Sequence, residues 1–229
     1  EEHEGEEHEE HEEDEHEGGH HEEGPTRFAN ESREYGAIFD VSTDELLQKV
    51  SVNFVDEDMS IIGEEAFMNP TDSKEVTIGY YLSKEVNSFH LDMGIRHDRL
   101  RRNGSVGHEE DHDEDHGDEH EELASFVRDF NNTSIAVSLG KDLNEKFDLN
   151  VSSGIVERAP SSVELFMNGP HLATGRFEVG NTELESERST NFDITLAYEH
   201  AGVFGTFTLF QNDVSGYIYL QDETEEEHD

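Results

Sequence analysis

The sequence predicts an all-β protein: an antiparallel meander of about eight strands forming part of a transmembrane β-barrel, with long disordered acidic and His-rich loops on one side. Three observations predict it. Apolar residues recur with period two along most of residues 25–220. The connections between these rows alternate between short and long, which puts every long loop at one end. Phe and Tyr stand near the row ends, at Tyr35, Phe89, Phe126, Phe147, Tyr198 and Phe204.

In chain order, the rows begin weakly with Tyr35, Ala37, Phe39 and Val41, then Val50, Val52 and Phe54. Val76, Ile78, Tyr80 and Leu82 follow, and then Phe89, Leu91, Met93 and Ile95, which alternate with His90, Asp92, Gly94 and Arg96. Ile135, Val137 and Leu139 make the fifth row, and Phe147, Leu149, Val151 and Ile155 the sixth. The cleanest is Phe192, Ile194, Leu196 and Tyr198; the last, from Val203 to Leu220, changes phase once. Short connections lie near 42–45, 85–88, 141–146 and 201–202, and long ones at 56–72, 103–125 and 159–185. A soluble sandwich or a lipocalin-like barrel shares the period, but the one-sided loops, strands of about 10 residues and the terminal aromatics favour a membrane wall. Apolar rows then face lipid, and the Asp, Asn, Ser and Thr rows line the lumen. His90 and His97 are read as members of the polar rows.

Charge is concentrated. Of 229 residues, 58 are acidic, 15 basic and 15 His, with no Cys. Residues 1–24 contain only 14 acids, 6 His and 4 Gly, residues 108–122 hold 10 acids and 4 His, and residues 222–229 add 6 acids and His228. Outside these tracts 28 acids face 15 bases, an ordinary balance. So negative a surface repels phosphate backbones, which excludes nucleic acid as a partner and favours cations. No stretch reaches the roughly 20 apolar residues of a membrane helix, and no signal peptide is visible. No nucleophile, base and orienting group stand at a catalytic spacing, so the chain is not read as an enzyme.

From Glu157 to Ser189 the chain reads E-R-A-P-S-S-V-E-L-F-M-N-G-P-H-L-A-T-G-R-F-E-V-G-N-T-E-L-E-S-E-R-S. This resembles the long outer loop and following strand of TonB-dependent receptors, in which R-x-P-x-x-x-E-L-F leads to G-x-H-x-A-T, F-E-x-G-N and L-x-x-E. The matching residues include Arg158, Pro160, Glu164, Leu165, Phe166, Gly169, His171, Phe177, Glu178, Gly180, Asn181 and Glu187. Gly94 to Asp98 resembles the family's G-x-R-[aromatic]-D strand end, and Gly63 to Pro70 another loop-to-strand junction. The resemblance implies a barrel of about 22 strands, an N-terminal plug, and active transport driven through the TonB complex. No plug or TonB motif is present, so the chain is expected to be a C-terminal barrel fragment. It is divided into a His/acid-rich outer loop (1–24), the partial barrel (25–220, with loops 103–125 and 159–185) and an acidic stub (221–229). Residue by residue, the motif loop also reads as turn formers with ion pairs of Arg158 to Glu157, Glu164 or Glu187.

Imidazole and carboxylate without thiolate suit zinc. The candidate ligands are His3, His8, His11, His16, His20 and His21 in the first tract, His108, His112, His116 and His120 in the second, and His171 in the motif loop. The second set recurs every four residues, so a transient helix brings it onto one face. Calcium and magnesium gain nothing from imidazole, whereas copper and nickel compete. Conformationally, such tracts read as solvated, disordered charge runs. The expected function is active uptake of a divalent metal, zinc first, into a Gram-negative cell across the outer membrane, with no resident cofactor. The alternatives are a siderophore or other metal-chelate receptor, and a metal-sequestering surface barrel that transports nothing.

Overall fold

The fold is taken from a computed structural model, which describes residues 26–63, 66–108, 122–171 and 175–222. Its main sheet comprises eight antiparallel strands: β1 (Arg27–Asp40), β2 (Leu47–Ile62), β3 (Thr71–Val86), β4 (Phe89–His108), β5 (Glu122–Asn144), β6 (Phe147–Arg158), β9 (Glu187–His200) and β10 (Val203–Ser215). They pair strictly in that order, and β1 and β10 are its edges among the described residues. Between β6 and β9 the chain forms a short helix, α1 (Ser162–Phe166), and a small hairpin of β7 (Asn168–His171) and β8 (Arg176–Val179).

The short turns bring strands back at minimal length. Between β9 and β10, Ala201 and Gly202 both have positive φ (52° and 82°), the conformation whose twist matches two-residue hairpins. At the other end the connections are long.

Pairing register places the eight predicted apolar rows on one face. Phe39, Val50, Tyr80, Ile95, Ile135 and Ile155 form one row across six strands. Leu91, Leu139, Val151, Ile194 and Leu209 form another. These side chains are not packed into a core: Ile78 is 53% exposed, Ile95 45% and Phe192 45%. A contiguous apolar wall of this kind is costly in water and suits hydrocarbon. On β4 it runs from Phe89 to the first charge, Arg99. That is about 33 Å along the strand, or about 25 Å of membrane at a tilt of about 40°. Among the described residues no helix is long and apolar enough to cross a membrane.

The opposite, inner face is polar and cross-linked. Asn150 Nδ2 donates to Ser138 Oγ (2.8 Å), Ser152 Oγ to Asp193 Oδ2 (3.3 Å), and Thr195 and Thr208 share a hydrogen bond (3.0 Å). Lumen-facing rows satisfied by one another leave few polar groups to strain the wall.

Several expectations need correction. The strands are 12 to 23 residues long rather than about 10, because β1, β2, β4 and β5 continue pairing past the membrane band into stretches read as loops. Exposed polar strands lack the apolar contrast that marks their inner halves. The last strand ends at Ser215, not Leu220. His97 lies on the apolar face with Ile95, two residues away, and shares a hydrogen bond with Thr133 Oγ1 (2.9 Å). Phe126 packs against the inner cluster rather than forming a terminal aromatic on the outer wall. Phe89, Phe147 and Tyr198 do mark the short-turn edge: Phe147 and Tyr198 lie 5.0 Å apart, and Lys141 Nζ caps the Phe89 ring at 4.6 Å.

Candidate functional site

Of the segment 159–185, expected as a loop, the described residues are folded. Its start is a capping box: Ser161 Oγ accepts from Glu164 N (3.2 Å), and Glu164 Oε2 accepts from Ser161 N (2.7 Å). The box turns the chain sharply and drives Leu165 and Phe166 onto the inner wall, where both are fully buried. They pack with Ile61, Met68, Leu100, Phe130 and Ala159, the main buried cluster among the described residues. Close approach requires glycine. A Cβ on Gly104 would stand 2.5 Å from the Phe166 ring, and one on Gly180 would stand 2.8 Å from the Leu165 backbone.

Two arginines fasten the segment. Arg158, at the end of β6, makes two hydrogen bonds to Glu164 (2.9 and 3.0 Å) and one to Glu187 at the start of β9 (2.7 Å). Glu187 also accepts the backbone N–H of Ile218, which ties in the chain after β10. Glu157, the third expected partner, faces the other way and accepts from Thr133 N. Arg128, on β5, donates to the carbonyls of Thr182 and Leu184 (the latter 2.9 Å), a role not anticipated from sequence. Burial raises the Glu164 pKa, but the Arg158 guanidinium and the two Ser161 bonds outweigh it and hold the carboxyl below the ordinary glutamate range.

The G-x-R-x-D element supports this platform. Arg96 Nε and Thr77 Oγ1 donate to Asp98 (2.8 and 2.7 Å), a carboxylate only 2% exposed. Beside it the buried Asn132 accepts from Ser186 Oγ (2.7 Å), joining the wall to the end of the folded segment.

Of the predicted ligands, His171 is at the tip of β7. Its Nδ1 lies 3.2 Å from Glu178 Oε2, its ring is 5.0 Å from that of Phe67, and both His171 and Glu178 engage further partners. Among the described residues no group of three or more His, Asp and Glu could hold a metal ion together. His108 ends β4, its backbone paired with Glu122. His3, His8, His11, His16, His20, His21, His112, His116 and His120 lie outside the described residues. The described chain flanking the three acidic tracts meets the sheet at one end. Arg27 pairs with Ile62, His108 with Glu122, and Ser215 with Arg188, all at the end where segment 159–186 folds.

Comparison with known proteins now fixes the family: the family described as TonB dependent receptor-like, beta-barrel, matches residues 21–226. The chain belongs to this family. Like its members, this receptor barrel is a Gram-negative outer-membrane protein. Its fold resembles that of the Serratia marcescens hemophore receptor HasR, solved with its hemophore HasA and heme (TM-score 0.65, 16% identity, 84% of this chain and 33% of that one). It also resembles the ferric-catecholate import receptor Fiu from E. coli K12 (TM-score 0.55, 13% identity, 82% and 31%). The receptor barrel thus spans about a third of the length of the structures it resembles. At these identities the likeness is one of fold. The apolar wall faces lipid, the folded segment sits at the mouth end of the wall, and the described chain flanking the acidic tracts meets the sheet at that same end.

Proposed function

We propose that the receptor carries out active uptake of a divalent metal, zinc, captured by the His- and acid-rich tracts at the mouth. The supporting observation is that the chain flanking all three tracts meets the sheet at the same end, the end that also holds the folded segment bearing His171. Ten of the fifteen His lie in the first two tracts. Neutral imidazole among carboxylates binds zinc in preference to calcium or magnesium. The tracts act as a low-affinity antenna that raises the local ion concentration, with His171 and Glu178 contributing to a tighter site near the mouth. Entry is driven by the TonB complex acting through a plug domain, and the barrel performs no catalysis.

A second reading, uptake of a metal chelate, is favoured by the resemblance to receptors described as importing ferric catecholate or binding hemophore and heme. Growth separates the two. Cells lacking the intact gene should fall behind on zinc-limited medium and recover with added zinc. A defect only when heme or a ferric catecholate is the sole iron source, with zinc-limited growth unchanged, would replace zinc with a chelate as the substrate.

A further inference from the structure

The outer wall of β4 changes character in one step. After Phe89, Leu91, Met93 and Ile95, the same face presents His97, Arg99 and Arg101. Lys74 of β3 stands opposite Arg101, and Asn131 and Thr133 of β5 stand opposite Arg99 and His97. Tyr35 and Phe54, stacked at 6.5 Å, share the register row of Arg99 and mark this level as the upper membrane interface.

Residues two apart on a strand are about 7 Å apart and cross-strand neighbours about 5 Å, so Lys74, Arg99 and Arg101 fit within one lipid headgroup. Two of these cations face a carboxylate, and Arg99 is the one that does not bond to any. Arg101 is clamped flat on the wall by Asp129 (2.8 and 3.1 Å), Lys74 is only loosely held by Asp56 at 4.0 Å, and all three cations are exposed. Arg99 makes no side-chain hydrogen bond or ion pair among the described residues. Farther along the same row Arg33 is bonded to Glu31, and its cross-strand partner is Asp56. The cationic density is therefore local to β3 and β4.

We infer that this patch binds the phosphorylated glycolipid headgroup of the outer leaflet. A phosphate monoester sits between Arg99, Arg101 and Lys74, and acyl chains lie along Ile95, Met93 and Ile135. Guanidinium forks match phosphate oxygens in pairs, and three cations at the edge of an apolar wall complement a headgroup whose tails must lie below it. The inference rests on the lipid-facing wall and is independent of the transported substrate.

The test is native mass spectrometry of the full-length receptor, purified from outer membranes and offered lipid A or phosphatidylglycerol. Wild type should retain lipid A, R99Q/R101Q should lose about tenfold of it, and R33Q should not differ from wild type. Heat-modifiable gel migration reports folding, and R99Q alone, which removes no internal bond, should already lower retention. Wild-type retention by R99Q and R99Q/R101Q would overturn the site. So would an equal loss in R33Q, or displacement of lipid A by an equal concentration of phosphatidylglycerol.

Discussion

Arg158 and Glu164 meet through two hydrogen bonds, 2.9 and 3.0 Å long, and this pair joins the barrel wall to the helix folded into its mouth. Charge-assisted bonds of this geometry contribute about 1–3 kcal/mol each, less where water screens them, and Arg158 is about half exposed. Arg158→Ala should therefore loosen segment 159–186 by about 2 kcal/mol, because it also frees Glu187. Hydrogen exchange in the full-length receptor should show faster exchange in 159–186 and unchanged exchange in β4. Unchanged exchange in both would leave the latch without energetic weight.

The same pair sets a pH dependence. The Glu164 carboxyl is held below its unfolded value, so its contribution is present above that value and is lost as pH falls through the lower, folded value. Protease cleavage within 159–186 should be constant near neutrality and rise only in acid, below the ordinary glutamate range. In Glu164→Gln this acid step should be smaller, since only the Arg158–Glu187 bond remains to be broken, with cleavage raised at neutral pH.

Gly180 lies against the backbone of α1, so an added methyl group cannot be absorbed by a side-chain rotation. Gly180→Ala should displace the helix and destabilise the mouth by about 1–3 kcal/mol, again read by exchange in 159–186. Gly94 lies on the inner wall, where a methyl group would meet nothing within 4 Å, and should accept alanine without measurable cost.

Alternation itself can be tested by neighbouring residues. Ile95→Arg places a charge against hydrocarbon and should cost about 2–4 kcal/mol near mid-membrane, less toward the interface. Gly94→Ser, one residue away on the inner face, should be near neutral. Urea unfolding of the full-length receptor in lipid vesicles measures both. Equal effects would contradict the assignment of faces.

These contrasts also show what is legible in the sequence. The eight strands and their apolar face are readable because period two is local: Phe192, Ile194, Leu196 and Tyr198 declare a face without knowledge of their neighbours. His97 belongs to the apolar face by the same rule, since it follows Ile95 by two residues, and its polar ring is what masks the assignment. The polar upper halves of β4 and β5 carry no such contrast, and only their mutual pairing, from Arg99 with Asn131 to His108 with Glu122, reveals them. The fold of 159–186 depends on distant groups, with Phe166 seated on Gly104 and Arg128 reaching Thr182 and Leu184. Only the S-x-x-E spacing of Ser161 and Glu164 announces a helix start there.

Zinc uptake at limiting concentration tests the central claim most directly. Radioactive zinc entry should be compared between cells carrying the intact receptor and cells in which His3, His8, His11, His16, His20, His21, His108, His112, His116 and His120 are replaced by Ala. The account predicts a several-fold slower rate at low zinc that converges on the intact rate as zinc saturates, because the antenna concentrates the ion without performing its passage. Equal rates at every zinc concentration would contradict capture by the mouth imidazoles.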